Sequence, residues 1–226
     1  MELVMVVLLL LSMLFLSREA AEYVMNNRVV QSNAIKTVVI DAGHGGDPGK
    51  VGINGVLEKD INLAIARRVK ELLEANNITV VMTRDHDGGL YEPQDAQKKV
   101  RDMKKRIEII DEADPDLVVS IHQNSYPEES ISGAQVFFYT NSTESKKIAQ
   151  LMQQQLIQRV DQKNTRVAKA NSSYYLLKKT AAPIIIVECG FLSNWVEAEL
   201  LATTEYQEKV AWAIHMGILT YLNKES

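Results

Sequence analysis

Along residues 36–222, short β-branched runs alternate with longer stretches whose apolar positions recur every three or four residues. Lys36–Asp41 (KTVVID) runs into a glycine cluster and is predicted as a buried strand. From Asp60 to Asn76, Ile61, Ile65, Val69, Leu72 and Leu73 make one stripe, with Arg67, Arg68, Lys70, Glu71 and Glu74 elsewhere. That pattern predicts an amphipathic helix stopping at Asn76-Asn77. Ile78–Arg84 (ITVVMTR) is the next strand, and Asp85–Gln97 a loop rich in Asp and Gly. Lys98–Ala113 is a second helix on Val100, Met103, Ile107 and Ile110. Asp116–His122 (DLVVSIH) and Gly133–Tyr139 (GAQVFFY) are strands, and Thr143–Asp161 is a helix. Tyr174–Leu177 is predicted as a short strand. Pro183–Glu188 (PIIIVE) is a strand with nothing polar before its last residue. Glu205–Leu222 is a closing helix on Val210, Ile214, Ile218 and Tyr221. Strands alternating with helices predict a single α/β domain: a mostly parallel, twisted sheet of about six strands with helices on both faces.

An apolar leader precedes that domain. Leu3 to Leu16 reads LVMVVLLLLSMLFL, followed by Ser17, Arg18 and Glu19. A bilayer-spanning helix usually needs about 20 apolar residues and a signal-peptide core about 7–15. Residues 1–22 are therefore expected to be a signal peptide or a short membrane anchor, and the polar stretch 23–35 a linker. No basic residue precedes the run, and Ala20-Ala21 offers small residues without a clear cleavage motif. The expected location is extracytoplasmic. Composition narrows the partners: 25 Lys and Arg against 29 Asp and Glu give a net charge of −4, which argues against a basic groove for nucleic acid. The single cysteine, Cys189, rules out an intramolecular disulfide or a cysteine-rich zinc module.

In open α/β sheets, ligands bind beyond the carboxyl ends of the strands. Four residues suited to metal chemistry fall there. His44 lies in the glycine-rich segment after the first strand, Glu58 opens the first helix, and His122 and Glu188 end DLVVSIH and PIIIVE. Two imidazoles and a carboxylate are a recurrent catalytic zinc set with a fourth position for water. A second carboxylate is then needed to take the water's proton. The glycines around His44 let the backbone turn where a Cβ would obstruct. Asp41 is placed to accept a hydrogen bond from a ligand imidazole. Glu188, directly after four aliphatic residues, must be charge-compensated or protonated, and so is either a salt-bridge member or a functional group. His86 reads as a solvated loop residue, His215 as structural, and Cys189 as a small buried hydrophobe.

At these residues the chain resembles the zinc-dependent N-acetylmuramoyl-L-alanine amidases of type 3. The matching pieces, from about Lys36 to Leu222, are VVIDAGHGG, LEKDINL, MTR, SIHQN, SGAQVFFY and VECGFLSN, in that order. The resemblance implies one Zn2+ held by His44, Glu58 and His122, with Glu188 as the catalytic glutamate. It also implies that Arg106 positions substrate and that Asn124 binds substrate or shapes its loop. Many family members have Ala where this chain has Gln123. The implied reaction is hydrolysis of the amide between the lactyl group of N-acetylmuramic acid and the L-alanine of the stem peptide. Among subtypes it resembles the germination-specific spore-cortex amidases, on its short leader, its basic helix KKVRDMKKRIEIID and the stretch NTRVAKAN. Peptidoglycan is the expected partner, with an activating protein as a second. The alternatives are a zinc peptidase acting within the stem peptide, or a peptidoglycan-binding protein that needs a partner for activity.

Overall fold

A computed structural model describes residues 12–13, 16–19, 36–47 and 49–223. The linker 23–35 lies outside the described residues, as does the leader except for Ser12, Met13 and Leu16–Glu19, which are helical. Among the described residues no helix is long and apolar enough to cross a membrane. The unit that contains the catalytic motifs runs from Ile35 to Glu225.

In that unit the chain order is β1 (Thr37–Ala42), α1 (Glu58–Glu74), β2 (Thr79–Met82), α2 (Lys98–Ala113), β3 (Leu117–Asn124) and β4 (Gln135–Tyr139). There follow α3 (Thr143–Arg159), β5 (Lys169–Asn171), α4 (Tyr175–Lys179), β6 (Ile184–Phe191), α5 (Trp195–Leu201) and α6 (Thr204–Leu222). The sheet order is β2-β1-β3-β6-β4-β5. All neighbours pair in parallel except β4 with β6. The expected six-stranded, mostly parallel sheet with helices on both faces is what forms.

Alternation along the strands sorts side chains between two apolar layers. Val38, Ile40, Val119, Ile121, Ile185 and Val187 pack with α1, α3 and α6. Val39, Val118, Ile184 and Ile186 face the other way, onto Ile110 of α2 and Leu176 and Leu177 of α4. The central strands are buried on both faces, which is why they read as continuous aliphatic runs. Local chemistry sets several boundaries. Ser142, Asn194 and Thr203 cap α3, α5 and α6 by accepting from the amides of Ser145, Glu197 and Tyr206. Asp114, in the left-handed region at φ 40°, ends α2 just before Pro115.

Three differences from the sequence reading have physical reasons. Tyr175–Leu177 belongs to the short helix α4, with Tyr174 as its extended N-cap, and not to a strand; four mostly apolar residues carry no period that separates the two. The strand in that region is β5, an edge strand whose residues are exposed or half-buried and show no apolar signal. The seven-residue helix α5 is too short to declare itself by periodicity. In addition, β3 runs two residues past His122 and β6 three past Glu188. Both functional side chains therefore sit inside the ladder.

Candidate active site

The sheet grows from β1 outward to β2, then resumes on the opposite flank of β1 with β3. Such a reversal leaves a crevice at the carboxyl ends of the two strands. A cleft of about 790 Å³ opens here, with His44, His122 and Glu188 in its walls.

His44 lies two residues past β1 and takes φ 63°. This left-handed conformation is uncommon for a residue with a side chain. Gly43 and Gly49 let the side chains of His44, Glu58 and His122 converge. A Cβ on Gly43 would stand 2.3 Å from the His122 ring, and one on Gly49 2.7 Å from both the His44 ring and the Glu58 carboxylate. The expectation that a Cβ would obstruct here holds at these two positions.

Glu58 is the first residue of α1 and fully buried. Its Oε2 is 3.2 Å from His44 Nε2, and its Oε1 3.0 Å from His122 Nδ1. The backbone amides of Lys50 (2.8 Å) and Gln123 (3.1 Å) donate to the same carboxylate. Burial works to raise the Glu58 pKa, but hydrogen bonds to His122 and His44 outweigh it and hold the carboxyl far below the usual range. Burial likewise opposes protonation of His122, while Glu58 raises its pKa on balance. One donor atom from each of His44, Glu58 and His122 lies within 4.8 Å of the others. Among the described residues this is the one cluster with that geometry. Two imidazoles and an ionised carboxylate suit a borderline divalent cation.

Glu188 stands beside His122 in the β3–β6 ladder. It is 5% exposed, and its Oε2 has no hydrogen-bond partner among the described residues. Burial pushes its carboxyl upward, and the neighbouring charges of His122 and Lys50 do not cancel that effect. A buried carboxylate oxygen left unpartnered at a cleft wall is costly unless something arrives to use it.

Asp41 departs from expectation. It accepts from the Thr83 hydroxyl (2.7 Å), the Ser120 hydroxyl and the Arg106 guanidinium, and from no imidazole. It is fully buried, and the nearest donors belong to β3 and α2. Arg106 departs as well. Its Nε donates to Asp102 (2.6 Å), and its Nη1 to Asp41 and to Ala42 O (2.9 Å). Its Nη2 donates to His44 O. The guanidinium reaches the cleft wall with its donors engaged by Asp102, Asp41, Ala42 O and His44 O. Asn124 Oδ1 accepts from the Ser125 amide (2.8 Å), and its backbone carbonyl accepts from the Leu192 amide; both contacts shape the loop. His86 is exposed beside Asp85, while His215 and Cys189 are buried, as read.

Sequence reasoning missed Lys50, whose Nζ reaches Gln123 O at 2.8 Å beside Glu58. It also missed Asn62, whose Nδ2 donates to Gly43 O (3.1 Å) and whose Oδ1 accepts from Gln123 Nε2 (3.1 Å). Nothing distinguishes Lys50 in a glycine-rich loop. Asn62 had a signal, being a polar residue between Ile61 and Leu63 near the buried stripe of α1.

The family model for N-acetylmuramoyl-L-alanine amidases of type 3 matches residues 38–220. The chain belongs to that family. Among similar proteins, the germination-specific N-acetylmuramoyl-L-alanine amidase of Bacillus subtilis is 38% identical over 195 residues, covering 84% of this chain and 81% of the relative. The CwlD amidase from Clostridioides difficile, solved in complex with the GerS lipoprotein, is 41% identical with a TM-score of 0.81. That match covers 84% of this chain and 99% of the solved one. The AmiC2 amidase of Nostoc punctiforme is 35% identical with a TM-score of 0.73, over 83% and 97% of the two chains. In this amidase His122 and Glu188 are paired on β3 and β6, with His44 on the loop after β1 and Glu58 at the start of α1.

Proposed function

We propose that this amidase hydrolyses the bond between the lactyl group of N-acetylmuramic acid and L-alanine in spore-cortex peptidoglycan, a step toward muramic-lactam formation and germination. The observation that carries the reading is Glu188: a buried carboxyl with an unpartnered oxygen, one strand away from a His-Glu-His donor cluster. His44, Glu58 and His122 are assigned to hold one zinc ion. Zinc there supplies Lewis acidity, which brings the ionisation of water to about pH 7 and polarises a carbonyl.

Glu188 is assigned the proton traffic. Its free oxygen accepts a proton from the attacking water and then delivers it to the departing amine nitrogen of L-alanine. The burial that raises its pKa suits a group that must hold that proton between the two steps. Arg106 is assigned to positioning through His44 O, and Asn124 to shaping the β3 loop. The cortex assignment is supported by the likeness to the germination-specific Bacillus subtilis amidase. An activating protein partner is supported by the solved relative's complex with a lipoprotein. The apolar leader supports export to the cell envelope, with the membrane as its anchor if it is retained.

The test is incubation of residues 35–225 with purified cortex peptidoglycan and zinc, with and without chelator, followed by mass spectrometry. Free stem peptides beginning at L-alanine, with glycan stripped of peptide and both lost on chelation, are expected. Cleavage inside the stem peptide would replace the amidase reading with a peptidase.

A further inference from the structure

The segment Met82-Thr83-Arg84 has so far been given no part in the site beyond the Thr83 hydroxyl. Arg84 follows β2 and is 2% exposed. Its side chain runs beneath the loop that carries His44. Nε donates to Ala42 O at 2.8 Å, and Nη2 to Gly43 O and Lys59 O at 2.9 Å each. Nη1 donates to His86 O at 3.0 Å. Two of these carbonyls immediately precede His44, and a third belongs to the residue after Glu58. One guanidinium thus ties the loop bearing one donor to the helix turn bearing another.

Arg84 forms no ion pair among the described residues. Burial, and then repulsion from Arg106, lower its pKa to about 10 against the attraction of Asp41, Asp87 and Asp102. A buried cation with no carboxylate in direct contact is a poor stabilising device, because the attraction of Asp41, Asp87 and Asp102 returns only part of its desolvation. What the arrangement does provide is geometry. Arg106 takes Ala42 O and His44 O from the other side, with its own charge balanced by Asp41 and Asp102. Three consecutive carbonyls, at 42, 43 and 44, therefore point at guanidinium groups, while His44 sits at φ 63°. A backbone in this region persists only where its surroundings over-determine it. The loop amides are engaged too: Gly43 N donates to Ile121 O (3.0 Å), Gly45 N to Asp47 O (3.2 Å) and Gly46 N to Asp87 O (3.0 Å).

We propose that Arg84 is a positioning residue for the metal, one that sets the separation of His44 and Glu58 before a cation binds. The inference rests on the reading of His44, Glu58 and His122 as zinc ligands. Preorganisation of this kind appears as affinity, because the cation need not order the loop itself. Lysine cannot substitute, since a single ammonium cannot serve carbonyls lying in several directions as a planar fork does.

The test uses the full chain and measures zinc affinity by competition with a chromophoric chelator. Arg84→Lys is expected to bind zinc about 10–100-fold more weakly than wild type, the range typical of groups that orient ligands. Val69→Ala, in the core of α1, serves as a variant that lowers the unfolding temperature without touching the loop. It should bind zinc within about twofold of wild type. An Arg84→Lys protein that binds zinc as tightly as Val69→Ala overturns the proposal. Hydrogen exchange on metal-free wild type gives a readout that does not depend on any variant folding. The amides of Gly43, Gly45 and Gly46 are expected to be protected already and to change little when zinc is added. Amides that exchange freely without zinc and become protected only with it would show the metal ordering the loop, against the proposal. Wild-type protein that binds no zinc at all would remove the ligand assignment and this inference together. Tight wild-type binding with no Arg84 effect would remove only the inference.

Discussion

Glu58 and Glu188 are two carboxylates buried in one site, and their surroundings drive them in opposite directions. Glu58 receives two imidazoles and two backbone amides, and both its oxygens are engaged. Its carboxyl is held ionised well below the ordinary range. Glu188 lies on β6 beside His122, with an oxygen unpartnered among the described residues and a carboxyl pushed upward by burial. Identical side chains thereby become one carboxyl held ionised and one pushed toward protonation. The difference lies in the donors each strand and loop supplies rather than in depth of burial, because both are buried.

The sharpest way to break the comparison is to remove a member of the donor cluster. His44→Ala and His122→Ala are each expected to lose zinc and fall to background activity, as read by metal analysis after gel filtration. Stoichiometric zinc in either variant would exclude that residue as a ligand. Glu188→Gln should separate the two carboxylates cleanly: turnover falls about 10²–10⁴-fold while zinc content stays at one equivalent. Wild-type turnover in that variant would end the general-base assignment.

A smaller effect concerns the polar network beneath the cluster. Burial would raise Asp41, but Arg106 and the Ser120 and Thr83 hydroxyls hold it at about 2. A depressed carboxyl contributes stability that is present above its unfolded pKa of about 3.9 and is lost as pH falls toward the folded value. Chemical denaturation should therefore reveal a loss of roughly 2 kcal/mol between about pH 4 and pH 2. Asp41→Asn should flatten that segment of the profile, and an unchanged slope would show that other carboxylates cause it. The smallest effect is at His86. Its exposed imidazole contacts Asp85 alone, and His86→Ala should shift stability by no more than about 0.5 kcal/mol and leave turnover intact.

The parts of this molecule that were legible beforehand are those where one physical requirement dominates. Short, β-branched aliphatic runs such as PIIIVE read as strands covered on both faces, so the sheet and the strands carrying His122 and Glu188 followed from them. The polar residues closing such runs stood out for the same reason. What did not follow was the partner of each buried group. Asp41 turned toward Arg106, Thr83 and Ser120 because α2 and β3 bring them there, and no local spacing reports a contact 65 residues away. Arg106 carries the same composition signal as the solvated lysines around it in KKRIEII, although it is 1% exposed. The β5 edge strand and the α4 turn were lost to the absence of a period, since three to five residues are too few to display one.

The register of the central strands has a consequence for how this site can change. His122 faces Glu188 across β3–β6, and Glu188 faces Gln135 across β6–β4. The spacing between His122 and Glu188 is accordingly inherited from the main-chain pairing of strands about 4.8 Å apart, whereas His44 and Glu58 are placed by the loop after β1 and the start of α1. A slip of one residue in β6 would present Val187 or Cys189 in place of Glu188 and turn the carboxylate toward the opposite face. Such a shift admits no half-measures: the chemistry is either in register or missing. Variation in what the enzyme accepts is thereby channelled into the segments outside the ladder, where insertions can reshape the cleft while the reacting groups keep their distance.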